Sequence, residues 1–302
     1  MTSPLASDAA PFGRVLTAMV TPFTATGELD LDAAQRVATH LVEHGNDGLV
    51  VTGTTGESPT TTGAEDARLL AAVREAVGDR ASVVAGVGTN DTRHSVELAE
   101  SARRVGADGL LLVTPYYSKP PQSGILLHVD AVAEAGRDLP IMVYDIPGRT
   151  GVRIEESTYL ELDRRPLVTA VKDAVGDLER GAWIRRETSL ALYSGDDALN
   201  LAWLSVGAAG IVSVVGHVAG DQYAAMVRAV DAGDLATARE LNERLIPAVR
   251  ALMTHTQGAI TSKAALQLLG VLEHRTVRPP LPEATDAEVE IVRAGLEASG
   301  LL

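Results

Sequence analysis

Eight apolar, strand-like runs, each followed by a stretch with helical periodicity, predict a (β/α)8 barrel of the TIM type for most of this 302-residue chain. Two further observations point the same way. Glycine-bounded turns at 45–48 (Gly-Asn-Asp-Gly), 106–109 (Gly-Ala-Asp-Gly) and 207–210 (Gly-Ala-Ala-Gly) each lead a helix end into the next strand. After Gly220 the alternation stops and only helical patterns follow, which predicts a C-terminal all-helical appendage.

The strand-like runs are 15–20, 48–52, 82–87, 109–113, 141–144, 168–172, 190–193 and 210–215. Parallel strands covered on both faces read as such unbroken apolar runs. Helical periodicity marks 31–44, 65–77, 93–105, 124–135 and 199–206, with cap-like residues Asp30 and Asp91-Thr92 ahead of two of them. The stretches 155–162 and 178–187 are short but compatible with helices. The C-terminal pattern comprises 222–230, 235–253, 260–269 and 287–297, with Pro279, Pro280 and Pro282 forming a connector. This divides the chain into an N-terminal extension (1–11), a catalytic barrel (12–232) and a helical domain (233–302). Residues 1–11 lack a basic end followed by an apolar stretch, so they read as a loosely ordered extension and not as a signal peptide.

Composition narrows the classes of function. Hydrophobic residues make up 46% of the chain, ample for a large core. No run approaches the ~20 consecutive apolar residues of a membrane span. Forty acidic residues against 26 basic ones give a formal charge of −14, which disfavours non-specific contact with nucleic acid or anionic membranes. The absence of cysteine excludes disulfides, thiolate metal sites and a cysteine nucleophile, and suits a cytoplasmic protein. The seven histidines are scattered, none at ligand spacing near the acidic residues of the strand ends, so no metal is expected.

A barrel of this kind carries its chemistry on the loops after the strands' carboxyl ends. Unusual residues collect there: Thr21-Pro22-Phe23, then Gly53-Thr54-Thr55-Gly56-Glu57-Ser58, then Gly88-Thr89-Asn90 and Thr114-Pro115-Tyr116-Tyr117. They continue as the run Tyr144 to Gly151, then Lys172-Asp173 and Ser194-Gly195-Asp196-Asp197.

Lys172 closes the apolar run 167–171 and is one of only three lysines, with Lys119 and Lys263, in a chain otherwise reliant on arginine. Arginine cannot shed its proton, whereas a desolvated lysine can become an amine nucleophile. The alternative is a strand-end lysine paired with Asp173 or a nearby carboxylate. Three of the six tyrosines fall at the rim, where a hydroxyl beside such a lysine could carry protons; tyrosines also favour strand ends for their amphipathic shape. The glycines and hydroxyls of 53–58 can present N–H and O–H donors to an anionic group, although a tight turn would also explain the glycines. Arg149, in a loop bounded by glycine and proline, suits carboxylate recognition or a plain surface position. Glu57 and Asp173 read as loop anchors.

Gly-Thr-Thr-Gly-Glu-Ser (53–58), Thr-Pro-Tyr-Tyr (114–117), Tyr-Asp-Ile-Pro-Gly-Arg-Thr-Gly (144–151) and Val-Lys-Asp (171–173) occur in that order. Together they resemble the dihydrodipicolinate synthases, within the wider group of pyruvate-dependent Schiff-base lyases and aldolases. The likeness runs from about Leu16 into the helical tail. It implies condensation of pyruvate with L-aspartate 4-semialdehyde on the way to diaminopimelate and lysine, with no cofactor and a homotetramer built as a dimer of dimers. Lys172 matches the Schiff-base lysine and Tyr144 the proton-shuttling tyrosine. Thr54 and Tyr117 complete the relay, Tyr117 reaching a neighbouring subunit's site. Thr55 matches the residue holding the pyruvate carboxylate, and Arg149 the one meeting the semialdehyde's carboxylate. Gly195 and Val212 match pocket-lining positions, with valine where isoleucine is expected.

The resemblance also implies a cleft for lysine, as an end-product inhibitor, at the tight-dimer interface. Ser58, Asn90 and Tyr116 match it, but Asp66 stands where a histidine is expected and His94 where a glutamate is, so weak or absent inhibition is expected. Related N-acetylneuraminate lyases and 2-keto-3-deoxy sugar acid aldolases share the lysine and tyrosine; they generally lack Arg-Thr-Gly at 149–151 and read Gly-Ser-Thr-Gly-Glu where this chain has Gly-Thr-Thr-Gly-Glu. A silent 2-oxo acid binding protein would lack some member of the lysine–tyrosine–threonine set, and none is missing.

Overall fold

Eight parallel strands close into a barrel in chain order: β1 (Val15–Ala18), β2 (Gly48–Val51), β3 (Ser82–Gly86), β4 (Gly109–Val113), β5 (Ile141–Asp145), β6 (Val168–Asp173), β7 (Ala191–Ser194) and β8 (Gly210–Ser213). The circle is completed by β8 pairing with β1, Val15 opposite Ile211 and Leu16 opposite Val212. This computed structural model describes residues 10–302, so the extension expected at 1–11 lies, but for Ala10 and Pro11, outside the described residues.

The connecting helices are α1 (Leu31–Glu43), α2 (Gly63–Val77), α3 (Thr92–Arg104), α4 (Gln122–Gly136), the single turn α5 (Pro147–Thr150), α6 (Glu156–Asp163), α7 (Leu178–Glu187), α8 (Asn200–Ser205) and α9 (Gly216–Asp231). Three more follow: α10 (Leu235–Met253), α11 (Gly258–Leu268) and α12 (Asp286–Ala298). Among the described residues no helix is long and apolar enough to cross a membrane.

Local chemistry sets the helix starts. Asp30 accepts from Ala33 N, satisfying one of the free N–H groups of the first turn. Thr62 and Glu65 form a reciprocal capping box, so α2 begins at Gly63, two residues ahead of the expected start. Strand ends depart from expectation for a similar reason. Beyond Ser213, Val214 N and Val215 N donate to the Asp197 carboxylate and leave the ladder. Val20 N likewise donates to His217 Nε2. Conversely, β5 and β6 run one residue further than expected, pairing Asp145 with Asp173.

The largest departure is α9, where 222 was expected as the start: a first helical turn begins at Gly216 and is joined to the main helix across a kink at Ala219, whose φ is −130° and ψ 24°. Gly216 and Gly220 argue against a helix in isolation. Both are required by close packing: a Cβ at Gly216 would overlap Thr17 Oγ1, and one at Gly220 would overlap His44 O.

Side chains fill the barrel, with Leu16, Val50, Val84, Leu111, Met142, Ala170 and Val212 among the inner set and Phe12 at its amino-terminal end. The C-terminal helices share a second apolar cluster with the barrel wall. Leu245, Leu252, Val292 and Leu296 pack with Tyr223 of α9 and with Val15, Ile211 and Val215.

Candidate active site

Tyr144 and Lys172 are partners in the register of β5 and β6, and Lys172 is in turn opposite Tyr193 of β7. Lys172 is buried, with its Nζ 4.3 Å from the centroid of the Tyr144 ring. Asp173, the partner considered for it, faces the other way because strand side chains alternate. Its Oδ1 instead accepts from Val175 N and Gly176 N, so it anchors the loop as expected.

Burial pulls the Lys172 pKa down to about 8, with Asp197 opposing the shift and Arg149 adding to it. Asp197 is already occupied by Val214 N, Val215 N and the Tyr223 hydroxyl. Burial likewise pushes Tyr144 up to about 12, which keeps the phenol protonated and able both to donate and to accept. Gly195 lies against the lysine stem; a Cβ there would come within 3.1 Å of Lys172 Cγ and Cε and 2.9 Å of Asp173 O. Val212 belongs to the same inner cluster as Tyr144.

Two small cavities meet at the loop after β2. One of about 180 Å³ is lined by Thr54, Ser58, Tyr116, Tyr144 and Arg149, among others. The second, about 210 Å³, is lined by Thr54, Thr55, Arg149, Val214, Gln257 and Pro280, among others. Thr54 and Arg149 stand on both. These volumes suit a small metabolite better than a drug-sized ligand. Arg149 Nη2 donates to Gln257 Oε1 at 3.1 Å, so the start of α11 holds the guanidinium over the cavities. Lys172 itself lines neither of these cavities and reaches the first only through its neighbour Tyr144; a larger cavity of about 510 Å³, at the strands' amino ends near Arg14, Arg165 and Arg185, is lined by neither residue. Volume alone does not locate the chemistry. Among the described residues no three His, Asp or Glu side chains converge as a metal site.

The remaining expected residues are spread more widely. Tyr117 is 88% exposed, lines neither cavity and sits at φ 70°. Asn90 and His94 are exposed, and His94 Nδ1 is 3.4 Å from Glu97 Oε2. Asp66 is buried on α2, and burial raises its pKa to about 6. Ser58 and Tyr116, expected in the regulatory cleft, line the same cavity as Tyr144.

Sequence reasoning missed Lys263. Its ammonium is 1% exposed, pairs with Glu57 and donates to Thr276 O at 2.7 Å. Burial lowers its pKa to about 8, as for Lys172, but here a carboxylate occupies the amine. Glu57 also accepts from Arg278 N at 2.8 Å and is held at φ 58°, a left-handed conformation uncommon for a residue with a side chain. Glu57 is therefore a loop anchor, and its post is the C-terminal helical region. The rarity that singled out Lys172 applied equally to Lys263.

The sequence profile described as the Dihydrodipicolinate synthetase family matches residues 11–299. The chain is 60% identical over 291 residues to the 4-hydroxy-tetrahydrodipicolinate synthase of Kineococcus radiotolerans, covering 96% of this chain and 94% of that protein. It is 56% identical over 299 residues to 4-hydroxy-tetrahydrodipicolinate synthase 2 of Streptomyces coelicolor, covering 99% of both. Among solved structures, the dihydrodipicolinate synthase of Cyanidioschyzon merolae with lysine bound superimposes with a TM-score of 0.92 at 43% identity, over 97% of this chain and 99% of that one. With the motifs of 53–58, 144–151 and 171–173 gathered at one end of an eight-stranded barrel, this chain belongs to the dihydrodipicolinate synthetase family.

Proposed function

We propose that the chain condenses pyruvate with L-aspartate 4-semialdehyde to give 4-hydroxy-tetrahydrodipicolinate, with Lys172 as the covalent catalyst. The observation that carries this reading is a buried amine with a lowered pKa, set against the Tyr144 ring and, among the described residues, free of any ion pair. Neutral Lys172 adds to the C2 carbonyl of pyruvate, and loss of water leaves an iminium. Its positive charge acidifies the adjacent methyl; loss of one proton gives a neutral enamine. The enamine carbon attacks the aldehyde of the second substrate, forming the new carbon–carbon bond. The substrate's own amine then displaces Lys172 and closes the ring.

Tyr144 carries protons to and from this centre, and Thr54 and Tyr117 extend the relay. Thr55 holds the pyruvate carboxylate through its hydroxyl and N–H, while Arg149 meets the carboxylate of the semialdehyde. Gly195 and Val212 shape the pocket. Tyr117, exposed in a single chain, supports an assembly in which it enters a neighbouring subunit's site, within a homotetramer of two tight dimers. The barrel at 12–232 then holds the chemistry, and the helices of 233–302 brace its rim. A cytoplasmic location fits a biosynthetic role.

Borohydride reduction with pyruvate present, followed by mass analysis, tests the reading. A reduced pyruvate adduct on Lys172, together with turnover of the semialdehyde, is expected. An unmodified chain would overturn it.

A further inference from the structure

On the outer side of the barrel wall, directly behind Lys172 and Tyr144, four polar side chains meet without access to solvent. Asp145 and Asp173 are paired in register one residue past Tyr144 and Lys172. Alternation along the strands points them away from the barrel interior, toward α6 and α7. Arg180 of α7 enters between them, its Nη2 2.9 Å from Asp145 Oδ2 and its Nη1 3.8 Å from Asp173 Oδ2. The same Nη2 donates to Ile154 O. Tyr159 of α6 donates its hydroxyl to Asp145 Oδ2 at 3.0 Å, and Ile154 N approaches the same carboxylate. Arg180 is 2% exposed and the other three side chains' residues 0%.

Stability alone is a poor account of this cluster. Two buried carboxylates share one guanidinium, and Asp173 Oδ2 and Arg180 Nη1 have no hydrogen-bond partner among the described residues. Apolar side chains of similar volume often serve at least as well as a buried ion pair. What apolar packing does not supply is direction: the hydrogen bond from Nη2 to Asp145 and the charge attraction of Nη1 to Asp173 across 3.8 Å hold the two strand ends to one guanidinium. The residues so fixed are the immediate neighbours of the amine and the phenol, and a misplacement of about 1 Å in reacting groups can cost about a hundredfold in rate.

We propose that Arg180 is a positioning residue for imine formation. It acts through Asp145 and Asp173 to lock the ends of β5 and β6 in register, so that Lys172 and Tyr144 are held against one another. This rests on the reading of Lys172 as the imine-forming amine.

The test uses the full chain, unmodified and as the variants Arg180→Lys and Tyr159→Phe. Readouts are the rate of pyruvate trapping by borohydride at saturating pyruvate, kcat and pyruvate KM for condensation, and the thermal midpoint. Lysine keeps the charge but cannot span both carboxylates. Arg180→Lys, still folded, is expected to lower the trapping rate and kcat by about tenfold or more, with pyruvate KM within about threefold. Tyr159→Phe is expected to lower both rates by about threefold. A folded Arg180→Lys with rates within twofold of the unmodified chain, assayed well below its midpoint, overturns the proposal. Should that variant not fold, unchanged rates in Tyr159→Phe overturn it instead. Absence of trapping in the unmodified chain is a separate outcome: it removes the imine itself, and the positioning role with it.

Discussion

Lys172 Nζ lies 4.3 Å from the centroid of the Tyr144 ring, and the two residues are register partners on adjacent strands. An ammonium would be attracted to that ring face, but burial works against the charge and brings the amine within reach of its neutral form. Lys172→Arg is expected to abolish the trapped pyruvate adduct and reduce condensation to background, with the thermal midpoint little changed. Guanidinium stays charged and forms no imine. Retained turnover would defeat the covalent mechanism.

The pH dependence follows from the same group. With a pKa of about 8, roughly a tenth of Lys172 is neutral at pH 7. Only the neutral amine attacks, so the single-turnover rate of imine formation should rise about tenfold from pH 7 and level off above about pH 9. A rate flat across that window would mean another step, or another base, governs it.

Arg149 stands on both small cavities and is held by Gln257. Because its proposed partner is the second substrate, Arg149→Ala is expected to leave pyruvate trapping intact while lowering kcat/KM for the semialdehyde by about a hundredfold or more. Loss of trapping in this variant would show that Arg149 serves pyruvate instead.

Glu57 and Lys263 form an ion pair with both side chains about 1% exposed. Lys263→Met strands a buried carboxylate and should lower stability by about 3–5 kcal/mol, read by denaturant unfolding. Adding Glu57→Gln to it should recover part of that loss. Additive losses in the double variant would mean that the two groups do not interact.

The expectation for end-product control is weak or absent inhibition by L-lysine at millimolar levels. The relative from Cyanidioschyzon merolae is described with lysine bound. Here His94 is exposed beside Glu97, and the nearby acid, Asp66, is buried with Oδ1 unpartnered among the described residues. A bound ammonium left without a well-placed carboxylate would lose several kcal/mol. Coupled turnover across a lysine titration decides the matter; half-inhibition below a millimolar would show that the Asp66 and His94 exchanges leave inhibition intact.

The alternation of strand and helix was legible because parallel strands buried on both faces leave unbroken apolar runs, and because a charge such as Lys172 closing a run is conspicuous. Strand ends were less legible because side chains elsewhere in the chain decide them: His217, 197 positions downstream, takes the N–H of Val20, and Asp197, in the loop after β7, takes those of Val214 and Val215. Gly216 and Gly220 concealed the start of α9, since the close approaches that require glycine there involve Thr17 and His44. Lys263 was hidden for the same reason, its carboxylate lying 206 positions upstream. Arg180, in a helix rich in charged residues, reads as surface until the fold buries it. Local pattern thus exposed the residues proposed to carry the chemistry, while the supports assembled across the chain stayed out of view.

The clasp between Glu57 and Lys263 also orders events during synthesis. A nascent chain that has reached Ser213 already contains all eight barrel strands and both Tyr144 and Lys172. The loop bearing Thr54 and Thr55 still lacks its anchors, because Lys263 and Arg278 have yet to be made. A chain cut short anywhere before Lys263 therefore carries Lys172 without the fastening of the loop that bears Thr54 and Thr55, and that loop is held in place only once the C-terminal helices have been made.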